Sequence, residues 1–284
     1  MKHPFYNTPF GIFLKKFLRH KTALGAFIFI IMLAFIAVFG RSIAPQDPRA
    51  FDFENILVSP NANNPFGTDE FGRDIFSRVL VGTRLTLSVS LTAVTSAMVI
   101  GSILGLISGY VGGLFDNLFM RLCDIMFAFP DIILAIAIVA ILGPGLFNVI
   151  IAVAVFGIPS FARIMRSAML ALKQSLYVEA ARSLGASPMR IIFVHIFPGT
   201  VSTMVINYTM RIGTAVLAAA SLSFLGLGAP PTEEEWGAML SVGRNYLGVA
   251  PHAVFFPGLA ILITVLAFNL LGDGLRDALD PKYK

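Results

Sequence analysis

The residues that could do chemistry in this chain are few, and one polar stretch holds several of them. Residues 177–198, YVEAARSLGASPMRIIFVHIFP, contain one acid, two arginines and a histidine. A charged segment of this kind can bind a partner protein through complementary charges. Three other ionisable residues, Asp124, Asp131 and Arg211, fall inside otherwise apolar stretches, where a charge requires a partner or a water-filled cavity.

Side chains that catalyse reactions or bind metals are not grouped in the sequence. The histidines are scattered at His3, His20, His195 and His252, and the only cysteine is Cys123. There is no G-x-S-x-G nucleophile motif and no Gly-Lys dipeptide, so the sequence lacks a G-x-x-x-x-G-K-[ST] phosphate-binding loop. We therefore expect no catalytic residue, no metal site and no cofactor site in this chain, and we expect Cys123 to be buried.

Composition indicates that the elements positioning these residues lie in a membrane. The chain is 56% hydrophobic and 13% charged, with a mean hydropathy of +0.81. Crossing a hydrocarbon core of about 30 Å takes about 20 mostly apolar residues. Six stretches meet this requirement, and Pro130–Asp131 interrupts the third. We therefore predict an all-α protein with transmembrane helices at residues 22–39, 85–108, 117–142, 146–161, 200–225 and 254–271.

Basic residues predict the orientation of these spans, because Lys and Arg concentrate in cytoplasmic segments. With the N-terminus inside, the cytoplasmic segments are rich in Lys and Arg, whereas acids outnumber bases on the other side. We expect cytoplasmic termini, a cytoplasmic segment at 1–21, and one polytopic domain at 22–284 with a core at about 85–275. The net charge of +5 reflects this topology, and no basic run with interleaved aromatics indicates nucleic-acid binding.

The polar stretch falls on the cytoplasmic side, between the fourth and fifth spans, and its pattern predicts two short helices. Gly185 stands where a left-handed residue ends the first helix. Ser187 is the predicted N-cap of the second helix, with Pro188 at its first position. On physical grounds two interpretations stay open: an amphipathic connector lying on the lipid headgroups, or a docking element for a soluble partner.

The same stretch resembles a known motif. EAARSLG, followed by IFP after ten residues, is similar to the EAA loop of ABC-importer permeases, whose pattern is E-A-A, three residues, Gly, nine residues, then I-x-L-P. A histidine and a phenylalanine replace the Ile and Leu of that pattern. The matching positions are Glu179, Ala180, Ala181, Gly185 and Pro198.

Longer strings narrow the resemblance. FGTDEFGRDIFSRVLVGTR at 66–84, SLSFLGLGAPPTEEEWGAML at 221–240 and AFNLLGDGLRDALDPK at 267–282 resemble the second permease subunit of dipeptide, oligopeptide, nickel and glutathione importers. The likeness runs from about residue 20 to the C-terminus. PGTVSTMVINYTMRIGT and AAASLSFLGLGA are most similar to the glutathione and dipeptide members.

This resemblance implies a type I ABC-importer permease in the bacterial inner membrane, with a coupling loop at about 163–199. The implied partners are a second permease subunit, two ABC ATPases that bind ATP and Mg²⁺, and an extracytoplasmic binding protein that delivers a peptide. The expected ATPase-docking residues are Glu179, Ala180, Ala181 and Gly185. Importers of nickel or another small solute are the alternative, and a secondary transporter or channel is a more distant one.

Arg211 lies about 17 Å into the fifth span, counted from Thr200 at 1.5 Å per residue. Asp124 and Asp131 lie seven residues apart in the third span. One interpretation is a structural pair between Arg211 and one of these acids. The other places Arg211 on the translocation path, facing the carboxylate of a passing peptide, with Asp131 and Asp124 as further candidate path residues.

Three other features carry structural expectations. Small residues spaced four apart predict a close helix contact inside the subunit, with a contact to the second permease as the alternative. Asp74 is expected to cap a short amphipathic helix that leads into the second span. Trp236 is expected to anchor the following loop at the membrane interface, with substrate reception as the alternative. The small residues are Ala97, Gly101, Gly105 and Gly109.

Overall fold

The computed structural model describes residues 9–279, so the ends of the predicted N-terminal segment and C-terminal domain, at 1–8 and 280–284, lie outside the described residues. Over the described range the regular elements are all helices, as predicted, apart from one isolated bridge between Thr68 and Asp74. The helices are α1 (Pro9–Arg19), α2 (Lys21–Ile43), α3 (Ile75–Val111), α4 (Gly113–Phe127), α5 (Asp131–Leu142), α6 (Leu146–Lys173), α7 (Leu176–Ser183), α8 (Pro188–Arg190), a π-helical segment (Ile191–Ile196), α9 (Phe197–Phe224), α10 (Trp236–Gly243), a 3₁₀ turn (Arg244–Tyr246) and α11 (His252–Leu279).

Five helices in the described range are long and apolar enough to cross a membrane, and the pair α4–α5 makes a sixth span if it is counted once. That pair is bent by 96°, so the interruption predicted in the third span is a sharp bend between two helices. The break falls where Pro130 precedes Asp131, because proline has no N–H to continue the helical hydrogen bonds and disfavours helical backbone before it.

The second span is longer than predicted. Helix α3 begins at Ile75 instead of residue 85 and has 37 residues, which at 1.5 Å each is about 55 Å. Asp74 caps it as expected, because its carboxylate accepts a hydrogen bond from the backbone N–H of Ser77 at 2.8 Å. The helix predicted to lead into the second span is present and continuous with it, since residues 75–84 are the first turns of α3 itself.

Helices α3 and α6 pack backbone against backbone, which confirms the predicted contact inside the subunit. A Cβ atom added to Gly101 would lie 2.6 Å from the carbonyl oxygen of Ile158, and one added to Gly157 would lie 2.9 Å from the Cβ of Ala97. Such approach is possible only where side chains are absent or minimal. The predicted small residues that face α6 are Ala97, Gly101, Gly105 and Gly109.

Trp236 lies in the core, so the expected interfacial anchor is wrong. Its side chain is 1% exposed and its indole Nε1–H donates to the carbonyl oxygen of Val79 at 3.0 Å. Its backbone N–H donates to Thr86 Oγ1 at 3.3 Å. Helix α10 can sink between α3 and α9 because Gly237 packs directly on the backbone of Ala220.

The acid that precedes this tryptophan is also buried. Glu235 caps α10 by accepting the backbone N–H of Ala238 at 2.8 Å through Oε2, while its Oε1 makes no hydrogen bond within the described part of the chain. Burial raises the pKa of Glu235, and the backbone N–H groups at the start of α10 offset this in part. The neighbouring Glu234 instead accepts a hydrogen bond from Arg49 Nε at 2.7 Å.

The α3–α6 contact predicts that a single methyl group added to one of its glycines lowers the stability of the protein. Gly101→Ala should lower the stability of the subunit by about 1–3 kcal/mol, because the new Cβ overlaps the Ile158 carbonyl. Gly25→Ala in α2 is the matched control, since no atom lies within 4 Å of the place that its new Cβ would take. Thermal melts of the detergent-solubilised protein should separate the two variants; equal melting temperatures would contradict the packing.

Glu235 predicts a pH dependence. Because its pKa is raised in the folded state, folding retains a proton that the unfolded chain loses, so stability should fall as pH rises above the ordinary carboxyl range. Glu235→Gln keeps the cap acceptor without a charge and should reduce this fall. Glu235→Ala should cost about 1 kcal/mol through the lost cap. Melting curves from about pH 5 to about pH 8 test this, and an unchanged pH slope in the Gln variant would refute it.

Candidate functional site

In the segment between α6 and α9, the turn between the two short helices has the structure that its sequence predicts. Helix α7 ends at Ser183, and Gly185 has a φ of +80°, the left-handed backbone expected of it. Ser187 caps the next helix by accepting the N–H of Arg190 at 3.4 Å, with Pro188 at the first position. The second predicted short helix is wrong in one respect, because it continues through the π-helical segment into α9 without a break.

A hydrophobic cluster, here called the inner cluster, fixes this segment to the long helices. It is separate from the main core and joins α3, α6, α7 and the π-helical segment, with the start of α9 packed against it. Val178 is the residue of α7 that it buries completely. Helix α7 thus shares one packed cluster with side chains of α3, α6 and the start of α9. The members are Leu106, Met165, Met169, Val178, Ile191, Ile192 and Ile196.

The opposite face of α7 is exposed and partly apolar. Leu176 and Leu184 are 84% and 88% exposed, one turn before and one turn after the exposed Ala180. Glu179 is also exposed, and it takes part in no ion pair among the described residues. Ala181 faces inward and is buried, unlike its neighbour. The structure thus places Glu179 and Ala180 on an accessible surface and Ala181 beneath it.

Arg211 is brought together with one of the two acids proposed for it. Its Nη1 lies 3.7 Å from the carboxylate of Asp131, and its Nη2 donates to Ser160 Oγ. The bend between α4 and α5 places Asp131 there, at the first turn of α5. The Arg211 side chain is 24% exposed and that of Asp131 is 46% exposed, so one side of the pair is open. The geometry fits the predicted pair.

The other acid is held elsewhere. Asp124 forms an ion pair with Arg163 of α6, and the guanidinium carbon of Arg163 lies 4.2 Å from the ring centroid of Phe127. Asp124 is therefore not brought to Arg211. Spacing along the sequence suggested that both acids share a face, but the bend at residues 128–130 begins only after Asp124.

The sequence pattern missed a polar cluster that ties α4 to α3 and α6. Arg166 makes a two-pronged contact with the Asp116 carboxylate at 2.5 and 2.6 Å, and Ser108 Oγ donates to the same carboxylate at 2.5 Å. Nearby, Lys173 Nζ donates to the carbonyl oxygen of Tyr110 at 2.7 Å. An acid in the first turn of α4 is the only local signal, since its arginine partner lies fifty residues further along the chain.

Cys123 is buried, as expected. Among residues 9–279 no three His, Cys, Asp or Glu side chains come together as a metal site. What the described residues do provide is a bundle of apolar helices with an anchored, outward-facing short helix and a half-open charged pair between spans. These features define a polytopic membrane protein.

Comparison with known proteins identifies the family of this membrane protein. Residues 101–284 match the family model of the binding-protein-dependent transport system inner membrane component, and residues 8–62 match the N-terminal transmembrane domain of oligopeptide transport permease C. The chain belongs to this family of ABC-importer permeases and is a multi-pass protein of the inner membrane.

Relatives in enterobacteria are similar over almost the whole length. The glutathione transport system permease protein GsiD of Escherichia coli O6:K15:H31 (strain 536) is 56% identical over 279 residues, which are 98% of this chain and 92% of that protein. GsiD of Shigella boydii serotype 4 gives the same values, and GsiD of Shigella dysenteriae serotype 1 is 55% identical with the same coverage.

The ion pair predicts a specific rescue. Arg211→Ala should reduce membrane abundance, because Asp131 would remain as a partly buried charge without its cation. Adding Asp131→Asn should restore abundance. Adding Asp124→Asn should not, because Asp124 is paired with Arg163. Immunoblots of membranes at equal expression compare the three variants. Equal rescue by both second substitutions would contradict the pair.

Proposed function

We propose that this chain is the permease subunit of an importer for a small peptide, with glutathione as the first substrate to test. Support comes from the GsiD relatives, which are named for glutathione transport and cover 98% of the chain. The proposed assembly contains a second permease, two ATPases that bind ATP and Mg²⁺, and an extracytoplasmic binding protein. The chain itself is proposed to bind no cofactor and to hydrolyse no ATP.

The proposed orientation places both termini and the α6–α9 segment in the cytoplasm. The basic residues of this part of the chain support it, because positive charge concentrates on the cytoplasmic side of membrane proteins. An epitope inserted after Arg182 should therefore be accessible only from the cytoplasm. An epitope near Asn63, in the segment between α2 and α3, should be accessible only from outside.

The outward face of α7 is the proposed ATPase-docking surface. Leu176, Ala180 and Leu184 form an apolar strip that a groove on the ATPase can cover, and Ala180 allows close approach in its centre. Glu179 supplies a charge at the rim, which favours orientation and encounter rate. Ala181 supports α7 from inside, so the docking role expected for it passes to its exposed neighbours.

The inner cluster is proposed to pass motion of α7 on to the long helices. When ATP draws the ATPases together, each docking surface moves, and α7 transmits that motion through Val178 to the other side chains of the inner cluster. Packed interiors pass such displacements on because they contain little free volume. The π-helical segment at Ile191–Ile196 joins directly to α9, which bears Arg211. We therefore expect motion at α7 to reach Arg211 through the packed side chains of the inner cluster and the continuous backbone of α9.

Reconstitution tests the proposed substrate. The complete importer in proteoliposomes, with its binding protein on one side and ATP on the other, should accumulate labelled glutathione in an ATP-dependent way. Unlabelled glutathione and dipeptides are the competitors, and Ni²⁺ is the control for the alternative substrate class. Uptake of Ni²⁺ without uptake of any peptide would overturn the proposal.

Docking through α7 predicts loss of the ATPases in two variants. Gly185→Val should strain a left-handed position by about 1 kcal/mol or more and tilt α7. Gly226→Val is a matched control, since Gly226 has the same φ of +80° and an equally open Cβ position, just after the C-terminal end of α9. Glu179→Lys reverses the rim charge, and the exposed Glu54→Lys controls for charge alone.

The measurement is recovery of the ATPases in a pull-down at equal membrane abundance of the permease. The Gly185 and Glu179 variants should lose ATPases and ATP-coupled uptake, while both controls retain them. Wild-type recovery in both test variants would mean that α7 is an amphipathic connector only.

A further inference from the structure

Helix α9 carries polar side chains along one exposed face. Four of them project within about 40° of one another, because their spacings of four, seven and seven residues return to the same side of a 3.6-residue helix. All are exposed or half-buried, in a helix otherwise apolar enough to cross a membrane. They are Thr203, Asn207, Thr214 and Ser221.

Helix α2 gives the comparison for a span that we take to face lipid. Its exposed side chains between Gly25 and Gly40 are apolar without exception in that interval. Polar side chains in a span are placed toward protein or water because lipid offers them no hydrogen bonds. Four polar side chains on one face of α9, where α2 has only apolar ones, favour protein or water as the neighbour of that face. The large exposed residues of α2 are Phe27, Ile28, Ile31, Met32, Phe35, Val38 and Phe39.

A second polar face lies beside the first. On α3 three exposed side chains, Ser88, Thr92 and Thr95, also share one side of their helix. Thr95 Oγ1 lies 2.9 Å from the hydroxyl oxygen of Tyr208, the residue after Asn207 on α9, so the two helices are adjacent at this level. We call these three residues and the four of α9 the polar band.

The band presents hydrogen-bond acceptors. Thr214 and Ser221 donate their hydroxyl protons to carbonyl groups of their own helix at 3.2 and 2.7 Å, which leaves the lone pairs of both oxygens outward. Asn207 donates one N–H to the carbonyl of Thr203 at 2.8 Å and keeps its side-chain oxygen free to accept. Such a surface complements a ligand that carries N–H donors, as a peptide backbone does.

Arg211 supplies a half-open cation at the edge of the band. It lies four residues after Asn207 and lines, with Thr214 and Ala97, a small cavity between α3, α6 and α9. Its 3.7 Å separation from Asp131 is longer than the usual 2.7–2.9 Å of a charge-assisted hydrogen bond. A carboxylate arriving on the open side can therefore take the place of Asp131 as its partner.

We propose that the polar band is this subunit's wall of the translocation path and that it binds a peptide with a free carboxylate. The peptide's N–H groups donate to the acceptors of the band, and its carboxylate pairs with Arg211. This inference rests on the proposed function, because it takes a small peptide as the cargo. It assigns recognition within the membrane to named side chains of this chain.

Thiol labelling tests the location of the band. Single cysteines replace Thr92, Asn207 and Thr214 in a Cys123→Ala background, with Ile28→Cys and Ile31→Cys on α2 as lipid-facing controls. The complete importer in proteoliposomes is treated with a hydrophilic, membrane-impermeant thiol reagent. The three band positions should react and the two controls should not, and glutathione with its binding protein should slow the reaction several-fold.

Two outcomes would overturn the inference. Band positions as inert as those of α2 would mean that lipid or the second permease covers them. Reactive positions that glutathione does not protect would mean a wet surface that takes no part in binding. Neither result affects the proposed function if the wild-type importer accumulates glutathione. Absence of glutathione uptake by the wild-type importer would contradict the proposed function itself.

The role of Arg211 is tested with paired substrates. Arg211→Ala combined with Asp131→Asn removes both charges, and the second substitution is expected to restore the membrane abundance that Arg211→Ala alone reduces. Wild type should transport glutathione with a KM about tenfold lower than that for its carboxamide analogues, as expected for a charge-assisted contact. The double variant should lose this preference through KM, with little change in kcat. An undiminished preference would assign Arg211 a purely structural role.

Discussion

Close backbone contact between α3 and α6 is the constraint on which the other features depend. Lipid tails are as apolar as the helix surfaces, so association in the membrane relies on packing, and glycines let two long helices approach. Gly101 lies against Ile158, and Gly157 lies against Ala97. Because these helices are held together, α4, α5 and α9 can all pack against them.

Two sets of contacts extend this pair toward the α7 end of the bundle. The inner cluster joins α7 and the start of α9 to it through buried Met, Leu, Ile and Val side chains. Asp116 joins α4 to it through Arg166 and Ser108, in a geometry that satisfies the carboxylate on several sides. The exposed face of α7 is thus attached to a body of packed helices, which is what a docking element needs in order to transmit force.

Sequence reasoning succeeded where the determinants are local. Gly185 and Ser187 were predictable because a left-handed cap and an N-cap depend on a few adjacent residues, and Gly101 because small residues at fixed spacing have one main use in a span. It failed where distant segments decide. Trp236 is buried because α10 fits between α3 and α9, and Asp131 meets Arg211 because of a bend whose 96° angle no local pattern specifies.

The central claim is that α7 moves as one body with α3 and α6. Spin labels are attached to cysteines that replace Ser183 of α7 and Ile107 of α3, in a Cys123→Ala background. Double electron–electron resonance spectroscopy then measures the distance between the two labels within the assembled importer. We predict a single narrow distance that is the same without nucleotide and with bound ATP, in a preparation that hydrolyses ATP normally. A broad distribution, or a distance that shifts when ATP binds, would show that α7 moves independently and would contradict the claim.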